Sequence, residues 1–197
     1  MIRLLAILLG AMVTGLAHAD STGFVDDRLQ NRLGIGCTLE ALLDLGEFGQ
    51  NQGQLIYMPM RPGQGALIEP FLGIHHLRRT EDGYDGQTEW VDYRTYTLGI
   101  GLFTVKRSRN VNWMLGGRLR KDWYRTDSNE GYMDGKTVAN ELTIGPALGA
   151  EYSFPGGFSL GVETGLQFGQ LTTSPGDQTT TVQRTHTSIL LRYYFRK

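Results

Sequence analysis

Downstream of Asp20, apolar and polar side chains alternate with a period of two along most of the chain, the pattern of strands that present one face to grease and the other to something polar. Eight runs of this kind stand between clusters of turn-forming residues: 32–43, 54–60, 66–77, 92–104, 111–124, 139–153, 158–171 and 185–195. In the fifth run Trp113, Leu115, Leu119 and Trp123 share one face, while Asn112, Gly116, Arg118, Arg120 and Asp122 share the other. The sixth sets Leu142, Ile144, Leu148, Ala150 and Tyr152 against Glu141, Thr143, Gly145, Gly149 and Glu151. The second run is the least regular, because Pro59 cannot donate to a strand ladder. Eight antiparallel strands are predicted.

The direction of the two faces decides the kind of barrel. The minority face mixes glycine and threonine with Glu40, Glu69, Arg118, Arg120, Glu141, Glu151, Glu163 and Arg192, which suits either a wetted surface or a packed polar lumen. Most runs exceed the five or six residues of an ordinary strand, and several exceed the roughly 9–11 needed to cross a bilayer at a tilt. Connections alternate as well: 61–65, 105–110 and 154–157 are short, whereas 44–53, 78–91, 125–138 and 172–184 are long and polar. Tight turns at one rim and longer loops at the other are the habit of outer-membrane barrels. Apolar-face aromatics fall into two rings, with Trp113, Tyr152, Phe158 and Phe195 at the short-turn ends and Tyr96, Trp123 and Phe168 at the opposite ends. The expected fold is therefore all-β, an antiparallel up-and-down transmembrane β-barrel of eight strands, with aliphatic side chains outward and ionised ones inward.

The N-terminus adds a route to the membrane. Arg3 precedes an apolar run over 4–16 and an Ala17-His18-Ala19 cleavage pattern, the signature of a secretory signal peptide rather than of a spanning helix. The expected organisation is a signal peptide at 1–19, a periplasmic lead-in at 20–31, and the barrel at 32–197. Loss of Arg3 leaves 18 basic against 20 acidic side chains from the chain's 19 and 20, so no basic surplus argues for nucleic acid. The 27 glycines suit many strands and turns. The lone cysteine, Cys37, excludes an internal disulfide. Its position after Leu33-Gly34-Ile35-Gly36 resembles a lipobox, but Asp26, Asp27, Arg28 and Arg32 separate it from the apolar core of the signal, and it reads better as a small apolar side chain.

Three segments, Pro146-Ala147-Leu148-Gly149-Ala150-Glu151-Tyr152-Ser153-Phe154, Phe158-Ser159-Leu160-Gly161-Val162-Glu163-Thr164-Gly165-Leu166 and Leu190-Leu191-Arg192-Tyr193-Tyr194-Phe195, resemble the last three strands of the OmpA- and OmpX-like outer-membrane β-barrel domain proteins. The resemblance covers the C-terminal third best and implies an architecture, not an activity. It also implies a terminal aromatic read by the barrel-assembly machinery; here Phe195 is followed by Arg196 and Lys197, a departure from that pattern.

Catalytic chemistry is sparse. His75 and His76 point to opposite faces of a strand and cannot easily share a metal; each reads as a structural or interfacial histidine. No phosphate loop, nucleophile elbow or Cys/His cluster occurs, and no cofactor, metal or catalytic residue is expected. One alternative is a lipid A acyl-ester hydrolase, because His186 and Ser188 share a face as His-x-Ser; their register puts both in the lumen, away from acyl chains. A second alternative is a soluble periplasmic binding barrel with an apolar cavity. The main expectation is a non-enzymatic outer-membrane barrel contributing to envelope integrity or to surface contacts. Its expected partners are outer-membrane lipids and lipopolysaccharide, the assembly machinery during biogenesis, and an extracellular partner at loops 78–91 and 125–138.

Overall fold

The computed structural model describes residues 32–38, 54–62, 65–82, 88–129, 135–174, 176 and 178–195. Nine strands form one antiparallel sheet: β1 (Arg32–Thr38), β2 (Gln54–Tyr57), β3 (Met60–Arg61), β4 (Ala66–Asp82), β5 (Thr88–Ser108), β6 (Val111–Ser128), β7 (Gly135–Ser153), β8 (Phe158–Ser174) and β9 (Gln178–Tyr194). Neighbours in sequence pair in order from β3 to β9, and β1 closes the ring by pairing Gly34 with Tyr194 through to Thr38 with Leu190. The expected signal peptide, the 20–31 lead-in, residues 39–43 of the first run and Glu40 lie outside the described residues.

β2 and β3 are one barrel strand interrupted by proline. Against β1, Gly36 pairs with Tyr57 and Leu33 with Met60; against β4, Tyr57 pairs with Phe71 and Met60 with Ile68. The register is the same on both sides of the break. Pro59 brings no N–H, but its carbonyl accepts from Gly34 N at 2.9 Å, and Met58 N donates to Pro70 O at 2.9 Å. The barrel thus has eight walls, as the alternation predicts, and a proline costs one rung without shifting the ladder.

The short connections are tight. Arg109 and Asn110 alone join β5 to β6, with Arg109 at φ 55°, and the β7–β8 turn sets Gly157 at φ 96° where a Cβ would lie 2.6 Å from Tyr194 O, so only glycine fits there. At the other rim three of the four expected long loops are corrected, while 44–53 lies outside the described residues. β4 runs to Asp82 and β5 starts at Thr88, so most of 78–91 is strand; likewise β6 reaches Ser128 and β7 starts at Gly135 within 125–138, and β8–β9 consume most of 172–184. The walls rise well beyond the apolar belt.

Burial is inverted relative to a soluble protein. Leu98, Leu115 and Leu148 on the outside are more than half exposed, while Glu69, Asp122 and Glu151 are wholly buried inside. Lumenal glycines make room for the large side chains opposite: a Cβ on Gly99 would lie 2.1 Å from the Phe71 ring, and one on Gly101 would lie 2.9 Å from Arg118 Nη1. Two small apolar clusters share the lumen with the charges. Leu67, Phe103, Met114 and Ala147, with Val105 against them, form one, and Leu55, Tyr57, Phe71 and Leu190 form the other.

Candidate functional site

The inward side chains of six strands assemble into a ladder of alternating charge. Arg61 on β3 donates to Glu151 on β7 at 2.9 Å; Arg192 on β9 donates to Glu151 at 2.8 Å and to Glu69 on β4 at 2.6 Å. Arg118 on β6 bridges Glu69 at 2.5 Å and Glu163 on β8, the latter through two bonds of 2.5 and 2.6 Å. His186 Nε2 lies 3.3 Å from Glu163 at the end of the series. Three guanidinium groups meet three carboxylates, so the core of the ladder is formally neutral, and each inner rung is held by two neighbours.

Aromatic rings hold the ladder in place. The Arg118 guanidinium lies 5.1 Å from the Tyr57 centroid, 5.2 Å from Phe71 and 5.1 Å from Phe103, and Arg61 lies 4.7 Å from Tyr194. Such contacts strengthen as water is removed. Tyr194 Oη also donates to Glu151 at 3.3 Å. Burying an ion costs several kcal/mol, which close pairing and hydrogen bonding offset; the bidentate Arg118–Glu163 contact and the doubly bridged Arg192 supply the pairing, while Arg118 Nη1 is buried without a hydrogen-bond partner among the described residues.

A second tier sits nearer the tall rim. Arg120 pairs with Asp122 at 2.7 Å, and Asp122 also accepts from Thr97 Oγ1 at 2.5 Å. Arg184 pairs with Glu141 at 2.6 Å and donates to Gln167 at 2.7 Å, while Tyr124 donates to Glu141 at 2.9 Å. All the minority-face charges within the described residues therefore meet inside the barrel, as their parity requires. The charges named from sequence do not include Arg61 or Arg184, nor the lumenal Tyr57 and Tyr194. Arg61 and Arg184 fell in expected connections, although counting in twos from Tyr57 past Pro59, or back from Ser188 and His186, reaches both.

The histidines separate as parity predicts. His75 turns inward, whereas His76 on the outer face meets Asp92 at 2.9 Å. Among the described residues no cluster of His, Cys, Asp or Glu could hold a metal ion. His186 and Ser188 both face the lumen and line, with Tyr57, Phe71, Arg118 and Glu163, a cavity of about 20 Å³. That volume holds about one water molecule, far short of an acyl ester, and Glu163 is already committed to Arg118. The His-x-Ser pair is thus part of the lumenal packing.

Among the described residues the lumen is filled by side chains, as the width of an eight-stranded barrel allows. No helix among the described residues is long and apolar enough to cross a membrane. Comparison with protein-family models gives no match, and no curated protein matches. The fold is similar to the crystal structure of a major outer membrane protein from Thermus thermophilus, with a TM-score of 0.52 and 13% identity over 83% of this chain and 98% of that one. At that identity the likeness is one of fold. The chain is an all-β antiparallel barrel of outer-membrane type, and the likeness does not single out the OmpA- and OmpX-like group.

Proposed function

We propose that this chain is an integral, non-enzymatic outer-membrane β-barrel, exported by its signal peptide, that reinforces the envelope and displays its tall rim outside the cell. The observation that carries this reading is the inverted burial, with aliphatic side chains on the outer wall and paired ions in the lumen. A soluble barrel would face water with the wrong side. The vertical dimension agrees. Trp113 and Trp123 lie ten residues apart on β6, which is about 33 Å along a strand at ~3.3 Å per residue and about 25 Å across a bilayer at a tilt near 40°, the height of an outer-membrane apolar band.

The short turns then face the periplasm, and the projecting β4–β5 and β6–β7 hairpins face outward as the surfaces open to an extracellular partner. Assembly would pass through the barrel-assembly machinery, with Phe195 as its terminal aromatic. Expression in a Gram-negative host and fractionation test this directly. The protein is expected in the outer-membrane pellet, shortened by residues 1–19 by mass, migrating faster on a detergent gel before boiling than after it. Recovery in the soluble periplasmic fraction would overturn the reading.

A further inference from the structure

The outer wall is not uniform just above the upper aromatic ring. On β4–β5–β6 the register aligns Ile74, Tyr96 and Trp123 at the ring, then His76, Arg94 and Arg125 one step higher, then Arg78, Asp92 and Asp127. Lys121, one step below the ring, lies 5.8 Å from the Trp123 centroid, and Arg78 lies 5.2 Å from Trp90. Four cations thus meet two carboxylates on this sector. On β8–β9 the outer face from Phe168 beside Gln183 towards the tall rim continues with Gln170 beside Thr181 and Thr172 beside Thr179, without an ionised side chain.

In the proposed outer-membrane orientation these cations lie at the height of lipid phosphates. Arg125 is two residues beyond Trp123 and Arg94 two residues beyond Tyr96 towards the tall rim, which places both about 5 Å above the interfacial ring for a tilted strand. Arg94 gives Nε and Nη2 to Asp92, and Arg125 gives Nε to Asp127. A guanidinium carries five N–H donors, and both side chains remain more than a third exposed, at 39% and 43%. The carboxylates thus hold two guanidinium groups on paired positions of β5 and β6 while leaving donors on each that the aspartates do not take, an arrangement suited to two-pronged contact with phosphate.

We infer that this sector of β4–β6 is a binding site for the phosphate groups of an outer-leaflet glycolipid, with Arg94 and Arg125 as its central contacts and Lys121 and Arg78 flanking them. The inference rests on the proposed outer-membrane orientation and names one lipid-facing partner within it. Phosphate seated here would pin one side of the barrel to the leaflet while the uncharged β8–β9 side meets sugar hydroxyls without preference.

The test uses the full barrel refolded in detergent micelles, with bound lipid counted by native mass spectrometry against bisphosphorylated lipid A. The unmodified protein is expected to retain it, and Arg94→Gln with Arg125→Gln to bind about tenfold more weakly, since two charge-assisted contacts are lost. Lys106→Gln, on the outer face at the opposite rim, is expected to bind as the unmodified protein does. Equal binding by the double variant would overturn the site, as would equal retention of lipid A stripped of its phosphates. Displacement by millimolar inorganic phosphate would mark a free-anion site instead and overturn the commitment to lipid. Heat-modifiable migration is scored on every sample: its loss in the unmodified protein sinks the barrel reading itself, whereas its persistence with unchanged binding in the double variant sinks only the phosphate site.

Discussion

Arg192→Met is expected to destabilise the refolded barrel by about 3–5 kcal/mol, the cost of leaving a buried ion unmatched. Arg192 is 1% exposed and bridges Glu69 and Glu151. Without it the ladder holds three carboxylates against the two guanidinium groups of Arg61 and Arg118, in a space too tight for bulk water to screen them. The accompanying loss of shape is small, because methionine fills much of the same stem. A second substitution separates charge from packing. Adding Glu69→Gln restores two carboxylates to two guanidinium groups, so the double variant should be more stable than Arg192→Met alone. Urea unfolding in lipid vesicles measures both. A single variant within about 0.5 kcal/mol of the unmodified protein would show that the lumen is wet and the ladder loosely held.

Leu119→Arg is expected to cost about 2–4 kcal/mol in vesicles, the penalty for an arginine near the bilayer midplane of a barrel. Leu119 lies between the two tryptophan levels of β6 and pairs with Ile100 and Ile144 on either side, so its surroundings are aliphatic on both flanks. It is 44% exposed, and on a soluble protein such a surface change would fall within about 0.5 kcal/mol. The two environments thus give different magnitudes for one substitution. Measurement of the same variant in a short-chain detergent, where water reaches the wall, should return most of the loss.

What could be read from residues alone follows the physics of contrast. Where one face meets acyl chains and the other meets ions, as from Trp113 to Trp123, adjacent side chains differ sharply and the period of two is plain. Above the ring both faces are wet. Segments such as Gln178-Thr179-Thr180-Thr181 and Arg125-Thr126-Asp127-Ser128 lose the alternation although their ladders continue, and so they read as loops. Threonine's preference for extended backbone was the remaining local signal there. The second wall shows a different limit. Pro59 suggested a poor strand, yet the ladder resumes in register at Met60, so proline marked a missing hydrogen bond rather than an end. The ladder itself was visible as a set of charges on one parity, but not as pairs. Which arginine meets which glutamate depends on the stagger between walls, for instance Gly101 opposite Arg118 and Gly149 opposite Glu163, and no local pattern encodes that. The lumenal aromatics Tyr57, Phe71 and Tyr194 share parity with Arg61, Glu69 and Arg192, so their inward direction is legible, but which guanidinium each ring meets depends on the same stagger.

The most direct measurement places a nitroxide on each face in turn. In a Cys37→Ser background, Leu119→Cys and Thr143→Cys are labelled and the refolded barrel is placed in vesicles. The label at 119 should collide readily with dissolved oxygen and be shielded from a water-soluble nickel chelate. The label at 143, whose native side chain is 1% exposed in the lumen, should be immobile and inaccessible to both. A label at 119 relaxed mainly by the chelate, or one at 143 relaxed mainly by oxygen, would contradict an outward aliphatic wall around a sealed ionic lumen.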